Sequence, residues 1–377
     1  MNARRPLLIL FFALLPAAFL TLPADGETPV KISIGATAVC VLTDKGEIAC
    51  WGAGNPIVED VPEGKFSDLS LGPKDGCAID TNGTAVCWGS GYANIRAMID
   101  SVLSRNPDAD LVTLGFAEFL PTDRSDLVQV VVHPWRHYAC ARTELGGIVC
   151  WGRPIPGSPA PHGADFVDLI STGRGFCALD SAGATTCWGD LTLEGYVSDA
   201  GPFTRISASG NGLCGVTDSG AVRCLTHDSP TAPGPPQPYA QVFRNVHIIG
   251  AQGCGILEDG SLHCQQTHHW CSHYFPEAEF CPEESIRFQS WDIDFTLLYE
   301  GGPDAETTAS RTYVQLFGDR AACAVTVEGG IDCWSDFRSG DPRQQVPDRF
   351  RPPIPPANSD THESDGESED EPASSSP

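Results

Sequence analysis

Seven times along this chain a cysteine is followed six residues later by glycine and ten residues later by a second cysteine. The pairs are Cys40 and Cys50, Cys77 and Cys87, Cys140 and Cys150, Cys177 and Cys187, Cys214 and Cys224, Cys254 and Cys264, and Cys323 and Cys333. Gly46, Gly83, Gly146, Gly183, Gly220, Gly260 and Gly329 stand between them, and five of the second cysteines run on into Trp-Gly or Trp-Ser.

This spacing has the geometry of a hairpin. In Thr43-Asp44-Lys45-Gly46-Glu47, a three-residue loop built on a type I turn needs glycine at its third position, where φ is positive. If Thr43 and Glu47 close the loop as a hydrogen-bonded pair, alternation sets Cys40 directly opposite Cys50 at a non-hydrogen-bonded site, about 4.5 Å apart at Cα. A disulfide accepts that separation. Asn82-Gly83, Asp218-Ser219-Gly220 and Asp259-Gly260 carry the same turn chemistry. Each repeat is therefore expected to be a hairpin with its own cross-strand bridge. Cys271 and Cys281, an eighth pair at the same spacing, read as a loop staple.

Sixteen cysteines in eight such pairs belong in an oxidising compartment. The N-terminus agrees, because Arg4 and Arg5 precede an apolar stretch from Leu7 to Leu20 and Leu22-Pro23-Ala24 offers small-residue cleavage. Residues 1–24 read as a signal peptide rather than an uncleaved anchor, which needs about 20 apolar residues. No other segment has the length and apolarity of a membrane span. The formal charge is -26, and loss of Arg4 and Arg5 leaves about -28. Such a chain lacks the basic footprint that nucleic acid or an anionic membrane surface requires. Residues 351–377 form an acidic, serine- and proline-rich tail expected to be disordered, a solvated spacer rather than a calcium site.

The intervening residues 25–350 carry a period that overrides a two-domain reading of their length. From first cysteine to first cysteine the steps are 37, 63, 37, 37, 40 and 69. Units near 37 residues are too small to fold alone and share a core with their neighbours. Each hairpin is preceded by an apolar strand, such as Lys31-Ile32-Ser33-Ile34, Phe66-Ser67-Asp68-Leu69 or Tyr313-Val314-Gln315-Leu316, and a glycine usually follows it. Three or four strands per unit, seven units and no helical period between them predict an all-β, seven-bladed β-propeller with two inserted surface elements. An open β-solenoid is the competing architecture, and closure is favoured because neither end carries a polar capping repeat.

The run Cys-Ala-Ile-Asp-Thr-Asn-Gly-Thr-Ala-Val-Cys-Trp-Gly at 77–89, with its preceding strand and glycine, resembles the repeat of the regulator of chromosome condensation superfamily in its secreted, cysteine-paired form. Plant crinkly-type receptor ectodomains and the bacterial propeller-type β-lactamase inhibitor carry similar units. The likeness runs from about Val30 to Phe350 and implies the propeller fold. It implies little about function, since that scaffold serves nucleotide-exchange regulators, receptors and enzyme inhibitors. Signal, cysteines and acidic charge set this chain apart from the nuclear exchange regulator.

The tryptophans Trp51, Trp88, Trp151 and Trp188 read as packing between blades. Blades five and six replace them with Leu225 and Gln265, and blade seven has Trp334 followed by Ser335. Two insertions interrupt the period at the same phase, adding 26 and 32 residues. In the first, Ile95, Met98, Ile99, Val102 and Leu103 follow helical spacing, with Arg96, Asp100 and Arg105 elsewhere, until Asn106-Pro107 ends the run. The second contains Trp270, His273 and the alternating run from Trp291 to Leu297, which reads as an extra strand. Metal binding by His268, His269, Cys271 and His273 is weighed against surface histidines beside a disulfide, and the absence of the usual zinc spacing favours the latter.

No nucleophile elbow, His-Glu-x-x-His, phosphate loop or dinucleotide fingerprint is present. No cofactor and no metal are expected. Asn82-Gly83-Thr84 is a glycosylation sequon, placed in a hairpin turn, that matters only in a eukaryotic secretory pathway. The expectation is an exported or periplasmic, monomeric, non-catalytic scaffold that binds a protein partner through loops on one face. Ile95, Met98, Arg105, Trp270, His273 and Trp291 are the candidate contact residues. The alternatives are a carbohydrate-binding propeller, an enzyme with its site in the axial channel, and a guanine-nucleotide exchange regulator.

Overall fold

The structure, a computed structural model, describes residues 27–52, 56–109, 124–152, 157–163, 165–189, 202–209, 212–220, 222–226, 243–249, 252–266, 311–318, 321–335 and 346–352. They form seven three-stranded antiparallel sheets, each with its strands side by side in chain order. The first sheet is Pro29–Ile34, Ala38–Thr43 and Ile48–Gly52, and the second is Phe66–Leu71, Asp75–Asp80 and Ala85–Gly89. The third is Leu127–Val132, Tyr138–Thr143 and Ile148–Gly152; the fourth is Phe166–Ser171, Gly175–Asp180 and Thr185–Gly189. Phe203–Ser209, Gly212–Thr217 and Val222–Thr226 make the fifth; Phe243–Ile249, Gln252–Leu257 and Leu262–Gln266 make the sixth. The seventh is Tyr313–Gly318, Ala321–Thr326 and Ile331–Ser335.

The hairpin register follows from the turn. Thr43 N–H donates to Glu47 O at 2.9 Å and Gly46 N–H to Thr43 O at 2.9 Å, and Gly46 has φ 76°. Counting back along the ladder brings Cys40 opposite Cys50. Cys40–Cys50, Cys77–Cys87, Cys140–Cys150, Cys177–Cys187 and Cys323–Cys333 are disulfides with Cα atoms 4.0 to 4.1 Å apart, somewhat closer than the expected spacing. Cys214 and Cys254 are also disulfide-bonded, and their register partners are Cys224 and Cys264. Cys271 and Cys281 lie outside the described residues, as do the signal segment and the tail beyond Pro352.

Neighbouring sheets are joined by a repeated latch. The hairpin glycine of one sheet accepts a hydrogen bond from the first strand of the next: Phe66 N–H to Gly46 O at 2.8 Å, Leu127 to Gly83 at 3.0 Å, Phe203 to Gly183 at 2.8 Å and Tyr313 to Gly260 at 2.8 Å. In the second and third sheets a further set of bonds covers the free edge of the first strand, whose N–H groups have no strand partner on that side. Ser33 Oγ accepts from Leu71 N–H at 2.8 Å, Ser70 Oγ from Val132 N–H at 2.9 Å, and Asp68 Oδ2 from Val130 N–H at 2.7 Å. Asp68 is held in turn by an ion pair with Lys31 of the first sheet.

Apolar packing fills the seams. Trp51, Trp88, Trp151 and Trp188 are all buried, which agrees with their reading as packing residues. A residue of the preceding connector sits against the indole: Ile57, fully buried, lies on Trp88 and accepts its indole N–H at 2.9 Å, and Ala160 packs near Trp188. The first and seventh sheets also pack together. Ile32, Val39, Val41 and Trp51 share a cluster with Val325, Ile331, Val346 and Phe350. Phe350 stands to Trp51, at 6.3 Å between ring centroids, as Ile57 stands to Trp88. The latch is missing from this seam for a chemical reason, since its donor position is Pro29, which has no N–H. The result is an all-β molecule of small antiparallel sheets, consistent with a propeller.

Helix α1 is the short turn Pro56–Glu59, and the first insertion begins with a helix, α2, spanning Ser90–Arg105. Asn106 caps its end as expected, but the helix starts five residues before the apolar spacing does, for a reason that lies in another strand.

Candidate functional site

Helix α2 leaves the third strand of the second sheet at Gly89, which pairs with Asp75. It therefore rises from the end of the sheet where first and second strands turn, opposite the disulfide hairpin. A helix start exposes N–H groups that need acceptors, and the N-cap residue here is Gly89, which makes no side-chain cap bond. Asp75 supplies the acceptor from the neighbouring strand: its Oδ1 takes the Tyr92 N–H at 2.5 Å. Its Oδ2 lies 2.5 Å from His137 Nδ1 of the third sheet. Asp75 is buried, and both carboxylate oxygens are used. A carboxylate at this position also complements the positive end of the helix dipole.

The approach is close enough to require glycine at 91. A Cβ there would fall 2.1 Å from His137 Nδ1 and 2.5 Å from Asp75 Oδ1. Farther along α2, Ile99 is buried while Met98 is 48% exposed and Arg105 is exposed. Ile95 lies on the same helix, and its side chain is outside the described residues.

His137 ends an unusual turn. The turn between first and second strands closes three residues on in the first, second and fourth sheets, as in Gly35 N–H to Ala38 O, whereas His133 N–H reaches Tyr138 O, five residues on. The extra length carries Pro134, Trp135 and Arg136. His133 anchors it from below: the ring is fully buried, and its Nδ1 accepts the Trp135 N–H at 3.1 Å. The proton of the neutral ring is then on Nε2, which has no hydrogen-bond partner among the described residues. Burial, with help from the Arg136 charge, pushes the His133 pKa down to about 4. Phe176 packs edge-on against both His133 and Tyr138, each at 5.8 Å, and burial raises the Tyr138 pKa.

Above this support the Trp135 side chain is 47% exposed. It borders a shallow hollow floored by Gly35, Gly72, Ile34 and Leu71. A Cβ at Gly35 would meet Gly72 O at 2.7 Å, and one at Gly72 would meet Val132 Cγ1 at 2.6 Å, so the glycines let these neighbouring sheets approach closely. On the other flank a small cleft, open to solvent, is lined by Asp75, Tyr92, His137, Tyr138 and Trp151. Its carboxylate and imidazole are occupied with each other and with the helix. Chemically the pair is a clamp that fixes α2 to the long turn.

Of the candidate contact residues, Met98 and Arg105 are on the exposed side of α2, while Trp270, His273 and Trp291 lie outside the described residues, with the rest of the second insertion. Asn82 is exposed in a hairpin turn at the opposite end, its N–H bonded to Asp80 Oδ1 at 2.9 Å. Among the described residues no three potential metal ligands come together, and no helix is long and apolar enough to cross a membrane. Sequence reasoning overlooked Trp135, His137, Asp75 and Tyr92. One signal was available: eight residues separate Val132 from Cys140, against six between Ile34 and Cys40 or Leu71 and Cys77.

No protein-family model matches the chain, and no curated protein matches it in sequence. Among solved structures it is similar to the ectodomain of the receptor kinase CR4 from Physcomitrella patens, with 16% identity, a TM-score of 0.55, and 82% of this chain and 74% of that one covered. It is also similar to the CRINKLY WD40 ectodomain of the receptor kinase ACR4 from Arabidopsis thaliana, with 17% identity, a TM-score of 0.54, and 84% and 98% covered. Prp20p from Saccharomyces cerevisiae matches at 13% identity over 63% of this chain and 58% of its own, with a TM-score of 0.32, which is too low to carry an argument. At these identities the likeness is one of fold, and it makes the chain an all-β protein of the propeller type.

Proposed function

We propose that this chain is an exported, monomeric, non-catalytic scaffold that binds another protein through elements projecting from one end of a closed seven-bladed propeller. Closure is supported by Phe350 and Val346, which pack in the seam between first and seventh sheets, Phe350 lying on Trp51 as Ile57 lies on Trp88. Export is supported by the disulfides, which persist in oxidising compartments, and by the apolar N-terminal segment. Membership of the secreted branch of the regulator of chromosome condensation superfamily fits the repeat, and guanine-nucleotide exchange on a nuclear partner does not fit the compartment.

The observation that carries the reading is the clamping of α2 by Asp75 and His137. A buried carboxylate spent on a projecting helix fixes an exposed element that the disc itself does not need, and rigidly held loops are where scaffolds carry function. Met98 and Trp135, both about half exposed, supply the apolar anchors such contacts favour. The half-exposed indole beside a shallow hollow also favours a second reading, a carbohydrate platform.

Replacement of residues 91–125 by the short connector that follows the third sheet tests the proposal. The chain, used as bait on the exported fraction of the cells that produce it, is expected to retain a protein partner when intact and to lose it after the replacement, with the thermal transition still cooperative. Retention of the same partner by the shortened chain would overturn it.

A further inference from the structure

Among the described residues, the turns at the two ends of the sheets differ in charge. The disulfide hairpins present Asp44, Glu144, Asp218, Glu258, Asp259 and Glu328 in their turns, with Lys45 as the basic exception. The opposite turns, on the second, third and fourth sheets, carry Lys74, Arg136 and Arg174. Lys74 and Arg136 are exposed, and the one carboxylate in those three turns, Asp75, is buried and committed to Tyr92 and His137. In a chain of formal charge -26, three adjacent turns that each carry a cation stand out.

The hollow beside Trp135 lies among these turns. Its floor is apolar, and the amides that border it are already used, Gly35 N–H by Ala38 O at 2.8 Å and Gly72 N–H by Asp75 O at 2.7 Å. A sugar ring stacked on Trp135 would find few donors for its hydroxyl groups there. An aliphatic or aromatic side chain needs none, and a well-packed apolar anchor in a pocket is the usual centre of a protein contact.

We infer that this end of the disc takes an acidic peptide segment of the partner protein, with one apolar side chain seated in the hollow beside Trp135 and flanking carboxylates facing Lys74 and Arg136. The inference rests on the protein-binding reading above and names the face and the partner's chemistry. Opposed charge across the rim acts mainly on encounter rate and on the choice of partner, whereas the apolar anchor sets how long the complex lasts. The acidic hairpin end would repel the same segment, which gives the disc one productive orientation.

Selection of a random displayed-peptide library on the intact chain tests this, with the double variant K74E/R136E and Trp135→Ala run in parallel. All three side chains stand in exposed turns, and an unchanged thermal transition verifies that the variants fold. The enriched peptides are expected to carry acidic residues around a single apolar one and to bind at least about tenfold more weakly to either variant. Their binding to the parent chain should also fall with added salt. Enrichment of basic or uncharged sequences, equal binding to the variants, or no enrichment would each overturn the inference. A chain ending at Pro352 that binds the peptides much more tightly than the full chain would also overturn it, by making the chain's own acidic tail the occupant. If K74E/R136E and Trp135→Ala still capture the natural partner while the 91–125 replacement does not, the scaffold reading stands and the hollow beside Trp135 is the wrong site.

Discussion

At position 133 a histidine stands where the first two sheets carry Gly35 and Gly72. The ring holds the long turn by accepting the Trp135 N–H. That bond needs an unprotonated Nδ1. An exposed imidazole titrates near 6.5 and this one near 4, so between those values the unfolded chain binds more protons than the folded one. Stability is therefore expected to fall as pH drops from about 6.5 to about 4, by on the order of 3 kcal/mol from His133 alone. His247, near Ser207 Oγ at 3.2 Å, is likewise pushed down to about 4 by burial and adds in the same direction. Thermal midpoints recorded at pH 7, 5.5 and 4.5 for the parent and His133→Gln check this. The variant should start lower at pH 7 and lose less on acidification; parallel curves would contradict the assignment.

Helix α2 shows how an element with weak signals of its own is positioned by its surroundings. Its N-cap is a glycine, and its apolar stripe begins only at Ile95, yet the helix starts at Ser90 because Asp75 offers its first turn an acceptor. The helix and the long turn of the third sheet are consequently one unit with the Asp75–His137 pair as its pin. Gly91→Ala inserts a methyl group where His137 and Asp75 already touch, and is expected to detach the start of the helix while leaving the sheets intact. Hydrogen exchange should quicken by about tenfold or more over residues 90–99, which corresponds to about 1.4 kcal/mol of lost local protection. The amides of the second and third sheets should keep theirs. Unchanged exchange across the helix would show that the pin is not what holds it.

At the scale of the whole molecule the weak point is the seam between the first and seventh sheets. Every other described seam can use a backbone latch, whereas Pro29 removes the donor here and Phe350 takes over, with Arg349 near Glu27 at 3.4 Å as an exposed accessory. Phe350→Ala is expected to cost about 3 to 5 kcal/mol. In a closed ring that loss lowers one cooperative transition, because each sheet leans on two neighbours. In an open array only the terminal sheets would fray, and calorimetry would resolve a second, earlier transition. Ending the chain at Pro352 should leave the midpoint unchanged, since the acidic residues it removes have no apolar surface to bury.

Local chemistry was enough to read the repeating unit. Turn glycine, strand alternation and cysteine spacing act within a dozen residues, so the hairpins, the cross-strand bridges and the buried tryptophans follow from neighbours in the chain. The helix over the first insertion was legible for the same reason, through its apolar spacing and its stop at Asn106-Pro107. What the spacing left open depends on residues far apart in sequence. Asp75 caps a helix that begins 15 residues later and meets a histidine 62 residues away, and Phe350 closes on a tryptophan near the start of the chain. Trp135 carried only the faint mark of a turn two residues too long. None of these has a linear signature, because each is a meeting between sheets, and only packing the sheets side by side decides which turn ends up beneath which helix.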